Sequence, residues 1–202
     1  MAGRPRQFDR NEALDKAMRL FWERGYEGTS VGDLAQALGI NKPSLYAAFG
    51  CKENLFYEAL DLYERTYGCV SPDELDAFAT AREAIAGALH RNAETAVDPT
   101  TPRGCFIVLS AAVGPPQDEK VRAHLTQRRL SSLEHFTRRI KRGIADGDVP
   151  AGTYARAVAS FYTTVINGIA IQARDGAPRA VLDGIVDGAM AAWDTLCARS
   201  RH

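Results

Sequence analysis

The stretch FWERGYEGTSVGDLAQALGINKPSLYAAFGCKENLF, Phe21 to Phe56, decides the fold. Leu34, Ala35 and Leu38 are spaced for one face of a short helix, and Gly39 ends it. Ser30 with Asp33 fits a capping box at its start. Asn41 is a good N-cap for a second short helix, with Pro43 tolerated in its first turn. Leu45, Tyr46 and Phe49 carry that helix to Gly50. Two short helices joined by the tight turn Leu38-Gly39-Ile40-Asn41 are the helix-turn-helix plan.

Working outward, the spacing predicts an amphipathic helix over 10–24, with Ala13, Leu14, Ala17, Met18 and Phe21 inward and Gly25 just past its end. A longer helix runs from Lys52 to about Tyr67, and Gly68 to Pro72 is a break. Beyond it helices are predicted at 76–96, 105–113, 118–145, 152–174 and 178–199, separated by Pro- and Gly-rich turns. No segment alternates with period 2 long enough to be a strand. The expectation is an all-α fold of about nine helices. The 202 residues divide into a helix-turn-helix domain at 1–50, with a basic N-terminal arm, and a helical body at 51–202. Residues 51–67 of that body form a connecting helix.

A helix-turn-helix suits DNA, because the major groove admits one helix and reads the N-terminal residues of the second. Those residues here are Lys42, Pro43 and Ser44. Lys42 can reach guanine or a phosphate, Pro43 a thymine methyl, and Ser44 can donate or accept. Tyr46 and Lys52 flank them as phosphate contacts. The helix N-terminus at Thr29 and Ser30 offers backbone N–H groups to another phosphate, and Asn41 completes the set.

Charge is the objection. The chain holds 25 Lys+Arg against 25 Asp+Glu, whereas DNA-binding domains are usually basic. Local counting answers it. From Leu34 to Lys52 stand Lys42 and Lys52 and no acid, and the arm Met1 to Gln7 holds Arg4 and Arg6 and no acid. Neutrality overall predicts modest non-specific binding and a shallow salt dependence.

These residues resemble the DNA-binding domain of the TetR family of bacterial transcriptional repressors, over roughly 8–60. The family's Gly-Tyr-x-x-Thr-Ser/Thr step stands as Gly25-Tyr26-Glu27-Gly28-Thr29-Ser30. Its Leu-Tyr-x-x-Phe-x-x-Lys-Glu-x-Leu signature stands as Leu45-Tyr46-Ala47-Ala48-Phe49-Gly50-Cys51-Lys52-Glu53-Asn54-Leu55. Gly3-Arg4-Pro5-Arg6 resembles the arm by which some members enter the minor groove. Cys51 departs from the usual Ser or Thr and is a poor N-cap, and Ala47-Ala48 replaces a pair that often holds His or an aromatic. The resemblance implies a three-helix head, a connecting helix, and a bundle that binds a small ligand and dimerises through its last two helices. It also implies a homodimer on a pseudo-palindromic double-stranded operator, released when ligand binding moves the recognition helices out of register.

The body is less explicit. Helix 152–174 is apolar nearly all round, which predicts burial on all sides, part of it in a four-helix dimer interface at Ile169, Ile185, Ala189 and Trp193. Cys105, Phe106, Leu109, Phe136, Tyr162 and Ile166 are candidates to line the pocket of an unknown small-molecule effector, or simply to fill the core. Cys105 follows Arg103 at a helix start, an arrangement that lowers a thiol pKa, so an oxidant or electrophile sensor stands beside the reading as a small buried hydrophobe. The eight bases between Lys120 and Arg142, against Glu134 alone, read as a solvated helix face.

Other classes find little support. GxSxG, Walker A, HExxH and GxGxxG motifs are all missing, which leaves an enzyme a distant alternative. No cofactor and no metal is expected: His124 and His135 stand about 16 Å apart along one helix, too far to share an ion. No membrane span, no signal peptide and four scattered cysteines without CxxC spacing point to a reducing cytoplasm. A DNA-binding regulator without a small-molecule ligand is the main alternative to a ligand-responsive repressor.

Overall fold

The computed structural model describes residues 9–68, 71–112 and 119–198. The chain forms two compact units, Met1–Thr66 and Tyr67–His202. The described residues are helices joined by turns, with no strand among them. The first unit contains α1 (Arg10–Arg24), α2 (Val31–Leu38), α3 (Lys42–Phe49) and α4 (Lys52–Thr66). By packing, α4 belongs with the first unit, since α1 and α4 are its most extensive helix pair. The sequence division at 50/51 had followed the motif instead.

The core of this unit is aromatic. Phe21, Met18, Leu34, Leu45, Leu55, Phe56 and Leu60 are fully buried. The Phe56 ring meets Phe21 edge-on at 5.1 Å and Tyr26 at 4.9 Å, and Trp22 meets Tyr63 edge-on at 4.8 Å. Such pairs add specific geometry to the burial of large apolar area.

The second unit holds α5 (Pro72–Ala77), α6 (Ala81–Thr95), α7 (Phe106–Ala112), α8 (Glu119–Asp146), α9 (Ala155–Arg174), α10 (Arg179–Ala191) and α11 (Trp193–Cys197). Helix α9 is central and packs against α6, α7, α8, α10 and α11. Its Val158, Ala159, Tyr162, Ile166, Ile169 and Ala173 join Ile85, Leu89, Phe136, Ile140, Leu182 and Val186 in one core. Among the described residues no helix is long and apolar enough to cross a membrane.

The described residues form eleven helices, close to the expected number of about nine. The predicted helix 76–96 starts at Ala81 as α6, and a short α5 stands in front of it, because Ser71 with Glu74 and Thr80 with Glu83 each form a full capping box and Phe78 between them is extended. The predicted helix 178–199 restarts at Trp193, as Ala192 caps α10 with its N–H on the Ala189 carbonyl.

The basic run in α8 also differs from the expected solvated face. Arg139 is only 1% exposed; its Nε donates to the Leu75 carbonyl at 3.0 Å and its Nη2 to the Phe78 carbonyl at 3.1 Å. It therefore satisfies the carbonyl end of α5. Arg138 and Arg142 pair with Asp76 at 3.2 and 3.4 Å and stay half exposed, as solvated bases do.

Candidate nucleic-acid interface

The turn between α2 and α3 is built by a few backbone requirements. Gly39 sits in the left-handed region at φ 68°, and Ile40 N–H donates back to the Ala35 carbonyl at 3.1 Å. Asn41 Oδ1 then accepts from Ser44 N–H at 2.8 Å and starts α3. Ser30 Oγ accepts from Asp33 N–H at 3.1 Å, while the Asp33 carboxylate accepts from Ser30 N–H at 2.8 Å and from its hydroxyl at 2.6 Å. These bonds hold the Asp33 carboxyl below its ordinary pKa.

A depressed carboxyl pKa stabilises the fold above the ordinary value of 3.8 and gives that stabilisation up as pH falls through the lowered value. The first unit should therefore lose stability on acidification below about pH 4, and Asp33→Asn should flatten that slope. Ser30→Ala should cost about 1 kcal/mol at neutral pH. Thermal melts of both variants across pH 3–7 check this, and unchanged acid slopes would refute it.

The outward residues of α3 are those expected. Lys42 and Pro43 are exposed, Tyr46 is 46% exposed, and Ser44 is half-buried beside them. Ala47 is exposed on the same face and leaves room where a larger side chain would stand. Lys52 lies over the Tyr26 ring at 3.9 Å, which fixes its ammonium at the start of α4. Cys51 does serve as a cap: its Sγ accepts from Asn54 N–H at 3.4 Å. Arg4 and Arg6 lie outside the described residues.

Thr29 is the exception. Its side chain is fully buried and its hydroxyl donates to the Gly25 carbonyl at 2.8 Å. That hydroxyl holds the α1–α2 turn, and the Thr29 N–H donates to the Tyr26 carbonyl at 3.3 Å.

One positioning residue escaped sequence reading. Arg10 forks onto the Glu58 carboxylate at 2.7 and 2.8 Å, donates from Nε to the Ala48 carbonyl at 3.3 Å, and lies 4.6 Å over the Phe49 ring. It thereby ties α1 and α4 to the C-terminal end of the recognition helix. The i,i+48 spacing to Glu58 gives no local signal, so only the fold brings the pair together.

In the second unit the six candidate pocket residues divide. Phe136, Tyr162 and Ile166 belong to the main core, Cys105 and Phe106 are buried on α7 and its lead-in, and Leu109 is half-buried. Tyr162 donates its hydroxyl to the Ala189 carbonyl at 3.2 Å, and burial raises its pKa. Arg103 is turned to the α9 end, donating from Nε to the Ala173 carbonyl at 2.8 Å and from Nη2 to the Ala177 carbonyl. The guanidinium that was to activate Cys105 is thus committed elsewhere.

The predicted interface residues are also turned inward. Ile169, Ala189 and Trp193 are buried in the chain's own core and Ile185 packs partly against it. The open faces of the same helices carry other residues. On α9 these are Ala157, Phe161, Thr164, Gly168 and Ile171; on α10, Val181, Gly184, Gly188 and Ala191. Both rows follow alternating steps of three and four, the seam of packed helices. Phe161, Ile171 and Val181 are 38, 45 and 48% exposed. A Cβ at Gly168, Gly184 or Gly188 would meet nothing within 4 Å, so packing inside one chain does not demand these glycines. Helix α9 is therefore apolar all round without being buried all round.

Comparison with known proteins agrees with this architecture at both ends of the chain. Residues 13–59 match the family of bacterial regulatory proteins of the tetR family, and residues 79–192 match the tetracyclin repressor-like C-terminal domain. The HTH-type transcriptional repressor ComR of Escherichia coli K12 is 32% identical over 206 residues, covering 96% of this chain and 93% of that protein. The HTH-type transcriptional repressor BdcR of the same organism is 29% identical, covering 86% and 83%. Among solved structures, the TetR family transcriptional regulator CifR, with three cysteines replaced and bound to a 26-bp double-strand operator DNA, superposes with a TM-score of 0.89. It is 46% identical, over 95% of this chain and 100% of that one. With its helix-turn-helix head and helical body both matched, the chain belongs to the TetR family of DNA-binding bacterial transcription regulators.

Proposed function

We propose that this protein is a cytoplasmic repressor that binds a pseudo-palindromic operator as a homodimer and lets go when a small molecule occupies its helical body. The carrying observation is the outward face of α3, where Lys42, Pro43, Ser44 and Tyr46 stand together on a helix start capped by Asn41. The name of ComR as a repressor and the operator complex of CifR support the same direction. The protein then has no catalytic step: its output is occupancy of DNA. The open apolar rows of α9 and α10 supply the dimer contact, and dimer symmetry matches operator symmetry.

Gel shifts with the intergenic DNA upstream of the protein's own gene test this directly. Lys42→Ala should weaken specific binding by about 1–3 kcal/mol or relax discrimination at one base pair. Lys52→Ala should weaken all sequences about equally; a strongly sequence-dependent loss would contradict its phosphate role. A shift that no compound in a broad effector panel releases would favour a regulator without a ligand.

A further inference from the structure

The recognition helix has little support of its own. Helix α3 has eight residues, of which Leu45 and Phe49 are the buried ones, and a helix this short does not stand alone in water. Its last carbonyls need partners from beyond its own ladder. The Tyr46 carbonyl accepts from Gly50 N–H at 2.8 Å and the Phe49 carbonyl from Cys51 N–H at 2.9 Å, both within the turn that follows. The Ala48 carbonyl is met from another helix, by Arg10 Nε at 3.3 Å. The same guanidinium lies 4.6 Å over the Phe49 ring and gives Nη2 to both carboxylate oxygens of Glu58, at 2.7 and 2.8 Å. One side chain of α1 thus holds the end of α3 by a hydrogen bond and a ring face, and is itself anchored by an ion pair on α4.

Two simpler roles fit Arg10 less well. As a stabiliser of the fold the pair is weak, because the Arg10 and Glu58 side chains remain 47 and 34% exposed and water screens them. As a phosphate contact, Arg10 has its charge already answered by Glu58 and its planar face laid on Phe49. What the contacts share is that they fix the place of one helix end. Lys42 and Phe49 are the first and last residues of α3, about 10 Å apart along the axis. A tilt of about 10° about the held end carries the other end by roughly 2 Å, more than a hydrogen bond to a base edge tolerates.

We infer that Arg10, anchored by Glu58, is a positioning residue for DNA recognition: it sets the tilt of α3, and with it the sequence discrimination of the protein, without touching DNA itself. The inference rests on the reading that α3 faces the bases, and it adds a specificity determinant that lies off that helix. The sign of the Glu58 effect separates it from a phosphate contact. Removing an acid from beside a phosphate-binding arginine tightens binding to any DNA. Removing the anchor of a positioning arginine weakens binding to the preferred sequence and spares the rest.

The test measures binding of the full-length protein to two labelled duplexes by fluorescence anisotropy, well below the melting transition. One duplex is selected by wild type from a random-sequence library, and the other is a scrambled duplex of the same composition. Arg10→Met and Glu58→Met should each lose about five- to fiftyfold on the selected duplex, the worth of one misplaced base contact. On the scrambled duplex each should stay within about threefold of wild type, since phosphate contacts carry that binding. The double variant should lose no more than Arg10→Met, because both changes break one arrangement. Melting temperatures should fall by about 4–8 °C at most. The inference is overturned if Arg10→Met binds the selected duplex like wild type, if Glu58→Met binds it as tightly as wild type or more tightly, or if both duplexes are lost equally. It is equally overturned by a much larger fall in melting temperature, which would make the pair a structural prop of the head. Lys42→Ala combined with Tyr46→Ala keeps the two claims apart. Discrimination lost in that variant and kept in Arg10→Met removes the positioning role alone; discrimination kept in that variant removes the reading of α3 on which the role rests.

Discussion

Phe56→Ala is expected to remove about 3–5 kcal/mol of stability from the DNA-binding unit. Phe56 has no exposed surface and its ring joins Phe21 and Tyr26, so truncation leaves a void lined by two aromatic faces. Neighbouring backbone cannot close that void easily, because the Arg10–Glu58 fork ties α4, two residues beyond Phe56, to the start of α1. Domain stability is only about 5–15 kcal/mol in total, so the loss should leave a large share of molecules with an unfolded head near physiological temperature. The readouts are a chemical-denaturation midpoint and operator binding. Phe56→Leu keeps most of the volume and should recover more than half of the loss. A variant Phe56→Ala that melts with wild type would show that the aromatic cluster is not the stabilising centre of the unit.

Ile171→Asp combined with Val181→Asp should turn the dimer into a monomer and weaken operator binding by about 10²- to 10⁴-fold. Both side chains are about half exposed on the open rows of α9 and α10, so a single chain tolerates the charges. Across a dimer seam the same charges are desolvated without partners. Sedimentation at micromolar concentration gives the mass, and far-ultraviolet dichroism should stay unchanged. An intact dimer mass in the double variant would place the interface elsewhere. Ile169→Ala acts differently: it should lower stability by about 2–5 kcal/mol through a core cavity and leave self-association to follow from folding alone.

The head was legible because its signals are local. Ser30 with Asp33, Asn41 before Lys42-Pro43, and glycines at 25, 39 and 50 each specify a turn within four residues. The same kind of signal was present at Ser71-x-x-Glu74 and Thr80-x-x-Glu83, yet the apolar spacing from 76 onward reads as one helix that runs over the second box. In the body the decisive facts are not local. A helix apolar on every side does not tell which side its own chain will use, so Ile169 and Trp193 were assigned outward when they face in. Arg139 looks like any other base in a basic run, and only the α5 carbonyls across from it explain its burial. Thr29 gives no sign in the sequence that its side chain is buried with its hydroxyl on the Gly25 carbonyl. On α3, residue type and order were enough to place Lys42, Pro43 and Tyr46 on its exposed side.

The two tryptophans of the chain fall one to each unit, Trp22 against Tyr63 and Trp193 against Tyr162. Both indoles are almost fully shielded from solvent. Each is consequently a built-in optical reporter for its own unit. Replacing Trp22 with Phe silences the head and leaves a chain whose emission follows the body alone, and Trp193→Phe does the converse. Emission recorded on this pair during titration with operator would show which unit responds, without any attached dye.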